Sequence, residues 1–290
     1  MSSIWRPVRE RNPARSLMVV VAHPGDEAFG FGGAIARAAA DGAYVVVVCA
    51  TRGRFDPRLL EKPAAPGGRS RHYTRPVVWR NLDTVREDEM RRSVALLGVR
   101  VLRMLDYAEE TLATVDRDDL VGRLVEPIRM HRPEVILTFG PEGVSGDADH
   151  VALSQAMQRA FVEAGNPLAH EDDIEEDQRA WRAAKLYHLV VPLSQVEPLG
   201  ADAPEAYGSP DGVATLRLDL GDLAPLKLAA ISRHVSQTGS SGPFSDWPAA
   251  ERDAFLATEH YRLARSNLPV PAGVAEAAAE TSMWDGIGPA

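Results

Sequence analysis

The chain has 290 residues, 45% hydrophobic and 25% charged, which is enough to bury the core of one large α/β domain. Its 32 basic and 41 acidic residues leave a net charge of -9, which disfavours nonspecific attraction to nucleic acid or to an anionic membrane surface and favours small-molecule chemistry. A single cysteine, Cys49, excludes an internal disulfide and a multi-cysteine metal site.

Residues 1–15 are charged and lack an apolar signal core, so they read as an N-terminal extension. No apolar run is long enough to cross a bilayer, and the expected location is cytoplasmic. The run "LMVVVA" (Leu17 to Ala22) predicts a strand, and "GGAIARAAADG" a helix closed by Gly42. Next come the strand "YVVVVCAT", a long Pro/Gly-rich basic loop over 52–85, the helix "REDEMRRSVALLGV" and the strand "VLRML". The segment "LVGRLVEPIRMH" predicts a helix, "EVILTF" a strand and "HVALSQAMQRAFVEAG" a helix. Strands so continuously apolar, alternating with helices, imply a Rossmann-like α/β domain over 16–265: a mainly parallel sheet with helices on both faces. The runs "KLYHLVVPL" and "GVATLRLDL" suggest further strands at an edge, and "APLKLAAISRHVSQ" one more helix. The acidic run "HEDDIEEDQRAWR" reads as a solvated face, and 266–290 as a loosely held C-terminal tail.

Sites in such sheets form at the C-terminal ends of strands. In "VVVAHPGDEAFGFGG", His23 and Asp26 follow the first strand at a spacing that puts both on one side of the turn, and imidazole with carboxylate suits zinc or a related divalent metal. The second half of such a site is expected in "FGPEGVSGDADHVAL", where His150 opens a helix. Three protein ligands leave a fourth position open, as catalytic zinc requires. The glycines of "FGFGG" lack the order of a dinucleotide loop and read as close helix packing. Asp149 reads as a helix N-cap, and Glu27 as a hydrogen-bonding support for a ligand or the backbone.

These stretches resemble the PIG-L-type (LmbE-like) de-N-acetylases, whose members usually carry A-H-P-D-D-E after the first strand and a later G-H-P-D-H. "TRG", Arg86 and Glu89 in "REDEMRRSVALLGV", "LDYAEETL" around Asp106 and "HVSQ" (His234 to Gln237) agree in order. The resemblance implies a Rossmann-like domain and zinc-dependent removal of acetyl from an N-acetylglucosaminyl group or related amide, with His23, Asp26 and His150 as metal ligands. It also exposes two departures. Gly25 stands where the family has its general base, and Asp147 where it has the histidine that stabilises the oxyanion or protonates the leaving amine.

Asp147 has two readings: a base acting from the other side, or an added ligand that shifts preference toward a harder ion. His234 is the candidate replacement for the lost histidine, with a packing role equally open. Arg52 and Arg86, with Arg54 and Asp106, are the expected substrate contacts. The expected function is therefore an N-acetyl-sugar deacetylase with an altered acid/base set, acting on a small N-acetylated sugar or related amide, with homo-oligomers left open. The alternative is a catalytically impaired relative that keeps fold and metal and binds a sugar-like ligand or a protein partner.

Overall fold

The computed structural model describes residues 15–55, 81–170, 179–197, 208–238, 249–269 and 280–288. The N-terminal extension before Arg15, the bulk of the basic loop (56–80), the acidic run (171–178) and part of the tail (270–279) lie outside the described residues.

Strand β1 (Ser16–Val21) leads into α1 (Asp26–Ala40), followed by β2 (Tyr44–Phe55), α2 (Leu82–Leu96) and β3 (Val101–Glu109). Then come α3 (Arg117–His131), β4 (Val135–Phe139), the single turn α4 (Gly143–Gly146), α5 (Ala148–Glu163) and β5 (Lys185–Val190). The chain closes with α6 (Leu193–Val196), β6 (Leu216–Asp219), α7 (Ala224–Ile231), α8 (Val235–Thr238), α9 (Ala249–Leu256) and β7 (Thr258–Ser266). The sheet order is β3-β2-β1-β4-β5-β7-β6, and β7 alone runs opposite to the other six strands. The apolar runs are buried as expected: Leu17 to Val21, Val45 to Val48 and Val135 to Leu137 form the centre of the core. α1 packs with α2 and α3 with α5, the two pairs that the handedness rule for parallel crossovers assigns to opposite faces of this strand order. At the C-terminal end of α1, Gly42 adopts a φ of 82° that lets the chain turn back into β2.

The chain winds from β1 through β2 to β3, then returns to β4 on the other side of β1. The loops after β1 and β4 therefore diverge at the switch point of the sheet, where a crevice opens outside the carboxyl ends of the strands.

Three features depart from the sequence reading. Strand β7 inserts between β5 and β6; its Glu259, though buried, is fully bonded, accepting from Lys227 Nζ and the Tyr261 hydroxyl (both 2.7 Å) and from the backbone N–H of Gly33 and Ala34. The α1 glycines make that approach possible: a Cβ on Gly33 would lie 2.3 Å from Leu220 Cδ2 and 2.9 Å from Glu259 Cδ, so close packing is their role. Second, the helix expected over Ala224 to Gln237 is split at 232–234, where His234 turns inward. Third, the end of the tail is anchored. Glu280 accepts from Lys185 Nζ and the Tyr187 hydroxyl (both 2.6 Å), Met283 is buried, and Arg15 donates to the carbonyls of Ile287 and Gly288.

Candidate metal centre

The turn after β1 carries His23 and Asp26, and the first turn of α5 carries His150. The Asp26 Oδ2 lies 3.6 Å from His23 Nδ1 and 3.3 Å from His150 Nε2, and all three ligand atoms fall within 4.8 Å of one another. Ligands at about 2.0–2.1 Å from a tetrahedral zinc are about 3.4 Å apart, so the cluster has zinc dimensions.

Each ring is locked by a hydrogen bond on its far side. Asp149 Oδ2 lies 3.0 Å from His23 Nε2, and a carboxylate only accepts, so Nε2 carries the proton. The Gly143 carbonyl does the same for His150 Nδ1 at 3.1 Å, and Phe139 stacks on that ring at 3.8 Å. The remaining nitrogens, His23 Nδ1 and His150 Nε2, are buried without a hydrogen-bond partner among the described residues, and both face the Asp26 carboxylate. Two imidazole nitrogens and an anionic oxygen converging in a buried space suit a cation, and this donor set fits zinc or a related divalent ion.

Burial would lower the His23 pKa, but the Asp149 hydrogen bond and the charges of Asp26, Glu109 and Asp147 overcome it and raise it to about 9. Burial would likewise raise the Asp26 pKa, but His150 and His23 hold that carboxyl well below the usual range. In the cation-free chain His23 is thus protonated at neutral pH, and a metal must displace that proton. Zinc affinity should rise about tenfold per pH unit up to about pH 9 and then level off. Competition titrations against a chelator between pH 6.5 and 9.5 check this; a flat profile contradicts it.

In "GDADH" the helix cap falls on the other aspartate from the one expected. The α5 N-cap is Asp147, whose Oδ1 accepts from the Asp149 and His150 N–H at 2.9 and 3.2 Å. Asp149 instead holds His23 and accepts the backbone N–H of Glu110 and Leu112, tying the β3 exit to the centre. Capping engages one oxygen of Asp147, whose charge still reaches His23.

Behind the centre lies a buried polar set. Glu27 accepts the Gly25 N–H at 2.8 Å, and its other oxygen meets the Ser93 hydroxyl and His234 Nε2, both at 2.7 Å. Glu27 therefore supports the ligand turn, as expected. His234, with no exposed surface, packs behind that turn, which removes it from the candidates for contact with substrate. Glu89 accepts both the N–H and the hydroxyl of Ser236, so two carboxylates fasten the "HVSQ" segment. Gly25 has a φ of 109°, and a Cβ there would lie 2.4 Å from Gln237 Oε1.

The expected substrate contacts divide. Arg86 is fully buried, pairing with Glu109 and donating to the Gly53 carbonyl, so here it braces the fold. Arg52 and Asp106 sit at the open edge, 37% and 59% exposed, and pair at 2.9 Å while Arg52 also holds Glu87. The sequence reading missed Gln237, although it closes the "HVSQ" stretch, and the hold of Asp149 on His23.

The fold and centre together define a Rossmann-like α/β protein with a two-histidine, one-carboxylate cluster at the switch point of its sheet. The family model for PIG-L, GlcNAc-PI de-N-acetylase, matches residues 18–161. The chain is 31% identical over 264 residues to the 1D-myo-inositol 2-acetamido-2-deoxy-alpha-D-glucopyranoside deacetylase 2 of Saccharopolyspora erythraea, a match covering 86% of this chain and 92% of that one. It is 30% identical over 312 residues to a deacetylase acting on the same compound from Streptomyces griseus, covering 96% and 91%. The chain belongs to the PIG-L (LmbE-like) de-N-acetylase family. The N,N'-diacetylchitobiose deacetylase of Pyrococcus horikoshii has the same fold, with a TM-score of 0.62, 19% identity and coverage of 86% of this chain and 84% of that one. Among the described residues, no helix is long and apolar enough to cross a membrane.

Proposed function

We propose that the protein hydrolyses the acetamide of an N-acetylglucosaminyl group or a closely related amide, using a divalent cation, zinc first, held by His23, Asp26 and His150. The carrying observation is the pair of locked imidazoles whose unpartnered nitrogens face Asp26. The deacetylase activity named for the Saccharopolyspora and Streptomyces relatives supports the substrate class. A cation bound there polarises a carbonyl oxygen and lowers the pKa of water.

The chain's own residues supply the rest. Asp149 and the Gly143 carbonyl keep the ligand rings in the tautomers that binding needs. Asp147, with Oδ1 engaged by two N–H groups, offers its other oxygen to take a proton from the attacking water. This reading assigns Arg52 and Asp106, paired at the open edge, to the sugar or its aglycone. Glu27 and His234 position the turn that bears Asp26.

The second reading, a binding protein without turnover, is favoured by one observation: no carboxylate stands at position 25. The discriminating experiment measures acetate release from a panel of N-acetylglucosaminides, N-acetylglucosaminyl-inositol included, by the zinc-loaded full chain and by a Gly25→Asp variant. The aspartate must also carry Gln237→Ala, because a side chain at 25 meets Gln237 Oε1. A deacetylase releases acetate as it stands and gains about 10²–10⁴-fold when the base is restored. Zinc bound by both proteins, with acetate from neither, would establish the binding reading.

A further inference from the structure

We propose that Glu87 sets the substrate class at the open edge. By engaging Arg52 together with Asp106, it withdraws the guanidinium from anion recognition, so this edge takes a neutral, hydroxyl-rich group and rejects one bearing phosphate or carboxylate. The role rests on the amide-hydrolysis reading above and names the kind of sugar or aglycone that the site admits.

Arg52 stands beside the ligand turn. It follows Thr51, whose N–H and hydroxyl both donate to the Ala22 carbonyl, at 3.0 and 2.9 Å, and Ala22 precedes His23. Its guanidinium is already engaged. Nη1 meets Glu87 Oε2 at 2.6 Å and Nε meets Asp106 Oδ1 at 2.9 Å, so one cation is held between two carboxylates. Glu87, 18% exposed, is steadied from behind by Arg91, one helical turn further along α2. Burial would raise the Glu87 carboxyl, but the Arg91 hydrogen bond and the Arg52 charge hold it below its ordinary value, so it is ionised at neutral pH. The other carboxylate is aimed by the backbone. Strand β3 carries one extra residue between its Met104–Cys49 and Tyr107–Thr51 pairings with β2, and Asp106, within that interval, has a φ of 68°. Bulges re-aim side chains, and left-handed residues other than glycine gather at ligand sites.

A free guanidinium recognises phosphate or carboxylate through paired charge-assisted hydrogen bonds. Here Nη1 and Nε already face anions, and an incoming anion would meet the charges of Glu87 and Asp106 as well. Sugar hydroxyls meet no such repulsion: the exposed Asp106 carboxylate accepts from a hydroxyl, and the remaining guanidinium N–H groups donate to one. Arg86, the other arginine expected among the contacts, is likewise paired with a carboxylate, Glu109.

The test compares the full chain with Glu87→Gln and with Glu87→Gln/Arg52→Gln, using N-acetylglucosamine, its 1-phosphate and its 6-phosphate as probes. One readout is affinity by calorimetry without added metal, so that no probe turns over and no cation competes for phosphate. The other is kcat/KM for acetate release with zinc. The unaltered chain should bind the neutral sugar at least as tightly as either phosphate. Glu87→Gln removes one negative charge and frees Nη1, so it should tighten one phosphate or both about tenfold and keep the neutral sugar within about twofold. The double variant should lose that gain. An unaltered chain that prefers a phosphate, or a phosphate-to-neutral ratio equal in all three proteins, would overturn the proposal; acetate released by the unaltered chain would then leave the hydrolysis reading standing. If the ratio shifts as expected while no protein releases acetate from any probe, the role of Glu87 holds and the hydrolysis reading fails. Binding of no probe by any of the three, with no acetate released, would overturn both.

Discussion

His150→Ala should abolish stoichiometric zinc binding and lower acetate release by about 10³-fold or more, which corresponds to losing about 4 kcal/mol of transition-state stabilisation. The ring is held from three sides: Nδ1 on the Gly143 carbonyl, one face on Phe139, and the α5 backbone capped by Asp147. Alanine removes the imidazole with its Gly143 and Phe139 contacts but leaves the backbone cap in place, so α5 should still start at Ala148. Zinc titration calorimetry, with circular dichroism to establish the fold, checks this. A variant that still binds zinc with wild-type affinity would move the centre elsewhere.

Arg86→Ala should act on the fold instead. The guanidinium is buried against Glu109, itself 2% exposed, and its removal takes a buried counter-charge from that carboxylate. Breaking such a pair from one side costs about 3–5 kcal/mol. The melting temperature should fall by about 10 °C, while zinc affinity per folded chain stays the same. Arg52→Ala, at a half-exposed edge position, should leave the melting temperature nearly unchanged and weaken substrate binding if Arg52 contacts the ligand. A stable Arg86→Ala protein with weakened substrate affinity would return Arg86 to the substrate contacts.

The centre was legible in the sequence because its parts are local. His23 and Asp26 follow an uninterrupted apolar strand, His150 opens a helix after another, and parallel topology brings the two loops to one edge. Less legible were residues whose environment comes from distant chain. Strand β7 alternates charged and apolar residues, and Glu259 reads as exposed until α1 and Lys227 are packed against it. Arg86 in a charged helix looks like a surface residue, since nothing nearby announces Glu109 in the next strand. Asp147 and Asp149 are both plausible caps by type, and only the fold decides that the former caps while the latter reaches His23. The tail looked loose because its anchors, Lys185 and Tyr187, are about a hundred residues away. The absence of a carboxylate at position 25 was plain from sequence, whereas the close approach of the Gln237 amide to Gly25 required the coordinates.

The most direct test of the centre is X-ray absorption at the zinc edge on the zinc-loaded full chain, with the metal quantified on the same sample. The expected result is one zinc per chain with a light-atom shell at about 2.0–2.1 Å and the outer-shell scattering of two imidazoles, lost on Asp26→Ala. Substoichiometric zinc, or a shell without imidazole, would contradict the His23–Asp26–His150 centre on which the proposed chemistry rests.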